Sequence, residues 1–273
     1  MSLSRELQLH IGQLKEIRSI LNSMKMLAFM ETHKLQRFKT MQSQVVANIE
    51  HAALDFLNFY PGLETPSDHA AKFCILLGSE RGFCGDFNES LINAVSDQAY
   101  TGIIAIGSRL CSRLEDGLNT KTVATLEGAN VAEEVPTIIN RLIDTIGTLH
   151  GKSTLQLTIV YHDNGANQIR RRQIFPPFTE RDKNTVHYRN PPVLNLEPGG
   201  FFADLIEHYL FAALHQIFYI SLMAENNSRL QHLEGAVNHL DDQTVKLQRK
   251  SQIYRQEEIT EEIEVILLNT ENL

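Results

Sequence analysis

The chain has 273 residues, of which 42% are hydrophobic and 21% are charged, and it carries a formal net charge of −8. This composition is typical of a folded chain long enough for one or two hydrophobic cores. The acidic balance argues against free nucleic-acid binding, which usually needs a basic face, and no apolar stretch approaches the ~18–20 residues that span a bilayer.

The first residues, MSLSRELQLHIGQL, have neither the apolar core of a secretory signal nor the composition of a transit peptide. Cys74, Cys84 and Cys111 show no CxxC spacing, so we expect reduced thiols in a cytosolic compartment. The histidines show no HxxxH or HxxEH spacing, and we expect neither a bound metal nor a cofactor.

A heptad pattern runs through residues 1–60, with mostly apolar residues alternately three and four positions apart. This period is typical of a left-handed coiled coil. Proline is absent before Pro61 and Gly12 is the only earlier glycine, which predicts one helix from about Leu3 to Phe59. The predicted seam consists of Leu7, His10, Leu14, Ile17, Leu21, Met24, Ala28, Glu31, Leu35, Phe38, Gln42, Val45, Ile49, Ala52 and Phe56.

The pattern changes at residues 61–198, which alternate between strand-like and helix-like segments. Four segments predict strands: KFCILLGS, GIIAIGS, STLQLTIVYHD and RRRQIFP. Two others, SLINAVSDQAY and EEVPTIINRLIDTIGTLHG, predict helices. This order favours a small, mostly parallel, three-layer α/β domain, followed by a loop-rich connector at residues 180–200.

Residues 199–273 predict a second long helix, beginning at Phe201, with no proline after residue 221 and Gly235 as the only glycine there. Because a long segment separates the two heptad helices, they can pair antiparallel. The predicted fold is therefore α/β with a long antiparallel coiled coil that flanks the middle domain. The second seam consists of Leu230, Leu233, Val237, Leu240, Thr244, Leu247, Ser251 and Tyr254.

A glycine-rich turn, GSERGFCGDFN at residues 78–88, follows the first predicted strand and opens a helix. Turns in this position can cradle phosphate, but this one matches neither GxGxxG nor GxxxxGK[ST]. We interpret it as a tight structural turn in which Gly82 and Gly85 supply unusual φ angles. Cys84 lies near a helix N-terminus, but no motif pairs it with a base, which favours a buried structural thiol.

Two charged runs stand out. Arg170–Arg172 is either a docking patch or a solvated strand face. Five glutamates lie between Glu257 and Glu264, beside an apolar stripe of Ile259, Ile263, Ile266 and Leu267. This amphipathic, acidic tip has nothing of its own to pack on beyond the N-terminal helix, so it either frays or is held by an external socket.

Three blocks resemble those of a known family. IRSILNSMK, followed by Met30, is similar to I-R-S-x-x-N-T-x-K-I-T-x-A-M, and GSERGFCGDFN is similar to S-D-R-G-L-C-G-x-x-N. ENNSRL and the later YRQEEITEE resemble E-x-x-A-R-M and R-Q-x-x-I-T-x-E, and NLEPGG resembles Y-x-x-E-P. These blocks occur in order along essentially the whole chain, which resembles the gamma subunit of F-type ATP synthases, the central rotor shaft.

The resemblance implies that the terminal helices fill the central hole of a ring of alpha and beta subunits. The α/β domain would sit on the membrane c-ring beside the epsilon subunit. Ion-driven rotation would then change the nucleotide states of the catalytic subunits, and the shaft itself would do no chemistry. Its location would be peripheral, at the cytoplasmic face of a prokaryotic cell membrane.

The resemblance also implies residue roles. Arg229, Gln256 and Thr260 match positions that engage the catalytic ring, and Met30 matches a methionine at the level of the acidic lever loop. Lys25 and Arg255 match basic contact positions. The structural turn would be built by Arg81, Gly82, Cys84 and Gly85.

Some residues depart from the family pattern. Glu80 replaces the usual Asp, and the final NTENL replaces a small-residue tail, which points to a divergent branch such as an alternative ATPase. Burial of Glu271 in an apolar sleeve would cost several kcal/mol, so the socket differs or the tip protrudes.

The alternatives to a rotor shaft are an α/β enzyme that uses Cys84, a coiled-coil adaptor and a V-type central stalk. The middle domain counts against the V-type stalk.

Overall fold

The computed structural model describes residues 3–63, 70–96, 98–116, 122–149, 155–163, 168–178 and 190–271. The chain forms two compact units, one made of Met1–Ala28 with Leu230–Leu273 and the other of Phe29–Arg229. Within the described ranges, no helix is both long enough and apolar enough to cross a membrane.

Five α-helices and five β-strands make up the described fold. The helices are α1 (Leu3–Phe59), α2 (Phe87–Val95), α3 (Ser108–Asp116), α4 (Val135–Leu149) and α5 (Pro198–Glu271). The strands are β1 (Ala71–Leu77), β2 (Gly102–Ile106), β3 (Thr122–Leu126), β4 (Leu155–Asp163) and β5 (Gln168–Phe175), and a single 3₁₀ turn, Ala132–Glu134, precedes α4.

The bounds of α1 agree with the predicted Leu3–Phe59. In contrast, α5 begins three residues earlier than the predicted Phe201, because Pro198 suits the first helical position, where no N–H donor is needed. The first helical bond joins the Phe201 N–H to the Glu197 carbonyl at 3.0 Å. Helix α2 spans Phe87–Val95, so it begins three residues earlier and ends five residues earlier than the predicted segment at residues 90–100.

The sheet has the order β3-β2-β1-β4-β5, and its first four strands are parallel while β5 runs antiparallel to β4. This confirms the predicted small, mostly parallel sheet. Sequence analysis missed β3 and α3. At the edge of the sheet, β3 alternates partly buried with exposed residues, so it has no continuous apolar run to signal a buried strand.

Both faces of the sheet are covered, which makes the unit three-layered. Ile75, Ile104 and Ile159 point to the face covered by α4 and α5. Their neighbours Leu76 and Val160 point to the opposite face, covered by α2 and α3. Each fully buried side chain of this size stabilises the fold by roughly 1.5–3 kcal/mol, so the sheet anchors this unit.

In the unit made of Met1–Ala28 and Leu230–Leu273, the two helical segments run antiparallel. Ser4 N–H donates to Glu258 at 3.4 Å, Arg18 pairs with Asp241 at 2.6 Å, and Lys25 pairs with Glu234 at 3.3 Å. As residue numbers rise along one segment they fall along the other, which confirms the predicted antiparallel pairing.

The seam of the α1 segment in this unit is partly displaced from the predicted one. Leu14, Leu21 and Ala28 are buried as expected, but Ile11 is buried in place of His10. Ile17 is 45% exposed, and the next residue, Arg18, bridges to the opposite segment. The steps of three and four residues are therefore interchanged relative to the prediction.

The same displacement occurs separately within the Phe29–Arg229 unit. Val46 and Ala53 are buried there, whereas the predicted Val45 and Ala52 are exposed. Val46 packs against Tyr209 and Ala213 of α5. In the α5 segment of the other unit, every predicted seam residue from Leu230 to Tyr254 is buried or half-buried, which confirms that part of the pattern.

Candidate interaction surface

A small apolar cluster joins the two segments of the Met1–Ala28 and Leu230–Leu273 unit. Leu21, Leu233 and Val237 are buried in it, and Met24 and Leu240 pack at its margin. The flanking ion pairs are partly exposed, so screening leaves them little net stabilisation and their main effect is to fix the register. Lys25, one predicted contact residue, belongs to this set through its bond to Glu234.

Three predicted contact residues, Arg255, Gln256 and Thr260, lie exposed on the final turns of α5. Thr260 Oγ1 donates to the Gln256 carbonyl at 2.9 Å. Arg255 lines a polar cleft of about 560 Å³ together with Lys15 and three glutamines. Among the described residues that line it there is no carboxylate, so this cleft favours an acidic partner group.

The predicted apolar stripe beside these residues is exposed over its described part. Ile259, Ile263 and Ile266 are 48%, 52% and 64% exposed, and Leu267 is 59% exposed. A row of exposed apolar side chains is typical of an interaction surface. The expectation about Glu271 concerns a side chain that lies outside the described residues.

The remaining two predicted contacts, Met30 and Arg229, belong to the Phe29–Arg229 unit and differ in exposure. Met30 is 53% exposed on α1. Arg229 is only 7% exposed and is used internally: its guanidinium donates to Glu225 Oε1, to Asn226 Oδ1 at 2.9 Å and to the Gly82 carbonyl at 3.3 Å. The guanidinium donors of Arg229 therefore point into the fold, and contact between Arg229 and the catalytic ring stays a prediction.

The partner of Arg229 is deeply buried as well. Burial raises the pKa of the Glu225 carboxyl, although Arg229 and the backbone amides of Arg81 and Glu80 favour its charged form. Ser228 Oγ donates to the Cys84 carbonyl at 2.8 Å, which adds a further tie between α5 and the turn. The sequence motif ENNSRL contains both residues, but their ion pair was not predicted, although an acid four residues before an arginine is a recognisable helix pair.

The turn itself differs in one respect from the interpretation of its glycines. Gly85 has a positive φ of 61°, as expected, but the other positive φ in the turn, 64°, belongs to Phe83. Gly82 has no positive φ, and a Cβ placed on it would meet nothing within 4 Å. Gly82 is therefore not required by backbone geometry, and its carbonyl serves as an acceptor for Arg229.

Cys84 is a buried thiol, which confirms the structural interpretation. Its Sγ lies 3.5 Å from the carbonyls of Arg81 and Gly82. Burial, reinforced by the charge of Glu225, raises the pKa of this thiol to about 11. Because the thiolate is the nucleophilic form, this cysteine is unsuited to the catalytic role considered above.

The carboxyl edge of the sheet is filled by the chain's own side chains. Glu80 accepts bonds from the Ser108 N–H at 2.9 Å and from the Gly128 N–H at 2.6 Å, so a carboxylate occupies the N-terminus of α3 where a phosphate could bind. Phe87, at the start of α2, stacks on His162 of β4 with ring centroids 3.9 Å apart. This arrangement counts against nucleotide binding at the turn.

The Arg170–Arg172 run is engaged inside its own unit. Arg170 pairs with Asp163 at 2.6 Å, and Arg171 donates to the Ala94 carbonyl. Arg172 pairs with Glu50 at 2.7 Å. These contacts favour a structural role over a docking patch.

In the described part of the chain, no group of His, Cys, Asp and Glu side chains could hold a metal ion.

Comparison with known proteins gives a consistent result. A family model described as "ATP synthase" matches residues 4–272. An ATP synthase gamma chain of Clostridium botulinum (strain Langeland) is 27% identical over 205 residues, which cover 72% of this chain and 71% of that relative. The gamma chain of Clostridium beijerinckii is 24% identical over 281 residues, covering 96% of this chain and 95% of the relative.

Solved structures show the same fold. A chain of the Euglena gracilis mitochondrial ATP synthase, in an assembly of OSCP, F1 and c-ring, gives a TM-score of 0.67 at 13% identity, covering 98% of this chain and 93% of that chain. A chain from the Tetrahymena thermophila mitochondrial ATP synthase central stalk and c-ring gives a TM-score of 0.61 at 15% identity, covering 80% of this chain and 99% of that chain.

Proposed function

Because this chain belongs to the gamma-subunit family of ATP synthases and is thus a non-catalytic subunit, we propose that it is the central rotor shaft of a rotary ATP synthase. In this role it couples ion-driven rotation of the membrane c-ring to conformational change in the alpha–beta ring. The shaft contributes free-energy coupling between distant sites rather than chemistry.

The observation that carries this proposal is the antiparallel helix pair that ends in an exposed apolar and acidic tip. The pairing of Arg18 with Asp241 and of Lys25 with Glu234 gives the two segments a defined register. The apolar side chains of the stripe from Ile259 to Leu267 are about half exposed or more, at 48–64%. A ring of partner subunits would cover this tip and hold it.

We assign the contact residues accordingly. Lys25, Met30, Arg255, Gln256 and Thr260 contact the alpha–beta ring, and Arg255 does so through an acidic group that enters its cleft. We also propose that the chain divides into three domains for this role: a coiled-coil helix at residues 1–60, the α/β domain at 61–198 and a second coiled-coil helix at 199–273. The α/β domain rests on the c-ring beside epsilon, which places the protein peripherally at the cytoplasmic face of the cell membrane.

Purification of the native complex tests this proposal. A tagged full-length chain should co-purify with alpha, beta, epsilon and c subunits, and its loss should abolish rotation while leaving the catalytic subunits intact. Recovery of the chain with V-type subunits, or with partners unrelated to ATPases, would contradict the proposal and favour the stalk or adaptor alternative.

A further inference from the structure

A cleft of about 520 Å³ lies in the Phe29–Arg229 unit, between α4, the adjoining ends of β4 and β5, and the early turns of α5. We refer to it as the α4–α5 cleft. Of its twelve described lining residues, ten are apolar, and the other two are Glu207 and His208. This volume lies in the range of small-molecule sites, which are mostly apolar with a few polar groups that fix orientation.

One wall of the cleft contains a helical glycine that leaves space. Gly147 lies within α4, and a Cβ placed on it would meet nothing within 4 Å. Glycine inside a helix costs stability relative to alanine, and here no packing constraint within the described fold requires it. The small residue keeps this wall of the cleft open.

The mouth of the cleft exposes large apolar side chains. Ile143 on α4 and Phe211 on α5 are 44% and 48% exposed, although both line the cleft. An occupant with an apolar body would remove this surface from water, and the hydrophobic effect would favour its binding.

The charge of the described lining residues indicates which head group such an occupant would carry. Glu207 supplies a carboxylate from α5, and no Lys or Arg is found among the described lining residues. The α5 sequence from residue 198 to residue 228 contains no Lys or Arg either. An ammonium group would therefore be attracted to this rim, whereas a carboxylate would be repelled.

We propose that the α4–α5 cleft is a binding site for small amphipathic amines, with the apolar body between α4 and α5 and the ammonium group at Glu207. The proposal rests on the geometry of this unit and is independent of the rotary function.

Displacement of N-phenyl-1-naphthylamine fluorescence by dodecylamine, below its micelle concentration, tests the site on the purified full-length chain. Gly147→Leu should fill the cleft and weaken dodecylamine binding at least tenfold. Gly235→Leu is the matched control, because Gly235 is also a helical glycine with open space around it but does not line the cleft. Equal affinities of the two leucine variants would overturn the proposal.

The head-group assignment has its own test. Glu207→Gln should weaken binding of dodecylamine but not of dodecanol, since only the amine carries a charge at neutral pH. An equal effect on both, or on neither, would contradict it. If Gly147→Leu does not fold, a diazirine-bearing dodecylamine on the unmodified chain replaces it: labels mapped by mass spectrometry to α4 or the early turns of α5 support the site, and labels elsewhere overturn it.

Discussion

Glu225 and Arg229, one turn apart on α5, form a buried ion pair whose remaining bonds tie α5 to the turn at residues 78–88. Arg229 Nη2 also lies 3.5 Å from Cys84 Sγ, at the centre of the turn. The pair thus holds a loop of the α/β domain against the second long helix within one unit.

Arg229→Met should lower the free energy of unfolding by about 3–5 kcal/mol, because it leaves the Glu225 carboxylate buried without its partner. The double variant Glu225→Gln with Arg229→Met should recover part of this loss, since no charge then remains buried. Urea unfolding followed by circular dichroism measures both. Arg255→Met, at an exposed position, is the control, and an equally mild effect of the two single variants would contradict the internal role of Arg229.

Gly85→Ala should destabilise the chain by roughly 1–2 kcal/mol, because a Cβ disfavours the left-handed backbone conformation at a φ of 61°. Gly82→Ala, three residues earlier in the same turn, should be neutral, since Gly82 has no positive φ and a Cβ would meet open space. Thermal unfolding of the pair tests this. Equal melting temperatures would mean that the turn tolerates a side chain at both positions.

Leu21→Ala should cost roughly 2–5 kcal/mol, because it removes a buried side chain from the cluster with Leu233 and Val237. Arg18→Ala should change stability little, since its ion pair with Asp241 is exposed to solvent. Denaturant midpoints of the two variants should therefore differ clearly. A larger loss from Arg18→Ala would show that ionic contacts, not apolar ones, hold the segments together.

Stability should fall as the solution is acidified, in part because of His162. Burial lowers the pKa of His162 below its ordinary value of 6.5, although its bond to the Phe87 carbonyl and the charge of Asp86 oppose the shift. A lowered folded-state pKa means that the unfolded state binds the proton first, so this contribution is complete above pH 6.5 and is lost as pH falls through the folded pKa.

His162→Gln provides the control for this pH dependence, because an amide can still donate to the Phe87 carbonyl but does not titrate. Unfolding free energies measured between neutral and mildly acidic pH should fall more steeply in the unmodified chain than in the variant. Parallel profiles would show that protonation of His162 does not affect folding.

Ile263→Ser combined with Ile266→Ser should weaken assembly with alpha and beta subunits by tenfold or more, since each apolar side chain contributes about 1.5–3 kcal/mol on burial. The melting temperature of the isolated chain should not change, because both side chains are already more than half exposed, at 52% and 64%. Val193→Ser, another exposed apolar position, is the control. Unaltered assembly of the double variant would remove the claim that partners grip the tip.

Much of the fold could be predicted because helical and strand periodicity are local properties of the sequence. The heptad pattern, with no proline before Pro61, specified α1 from Leu3 to Phe59. Short apolar runs marked β1 and β2, and an alternating pattern marked β4. The edge strand β3 lacked such a run and was missed. The resemblance in motifs identified the family, which the match to residues 4–272 supports.

Tertiary structure decided the details that depend on what each residue faces. Apolar side chains stand next to each other at Val45 and Val46, and only the position of Tyr209 and Ala213 determines that Val46 is buried. Likewise, an arginine can point to a partner or into its own fold, and the buried carboxylate of Glu225 directs Arg229 inward. The sequence by itself determined the elements and the family, whereas the choice between neighbouring seam residues and between internal and external contacts depended on long-range packing, which local periodicity does not encode.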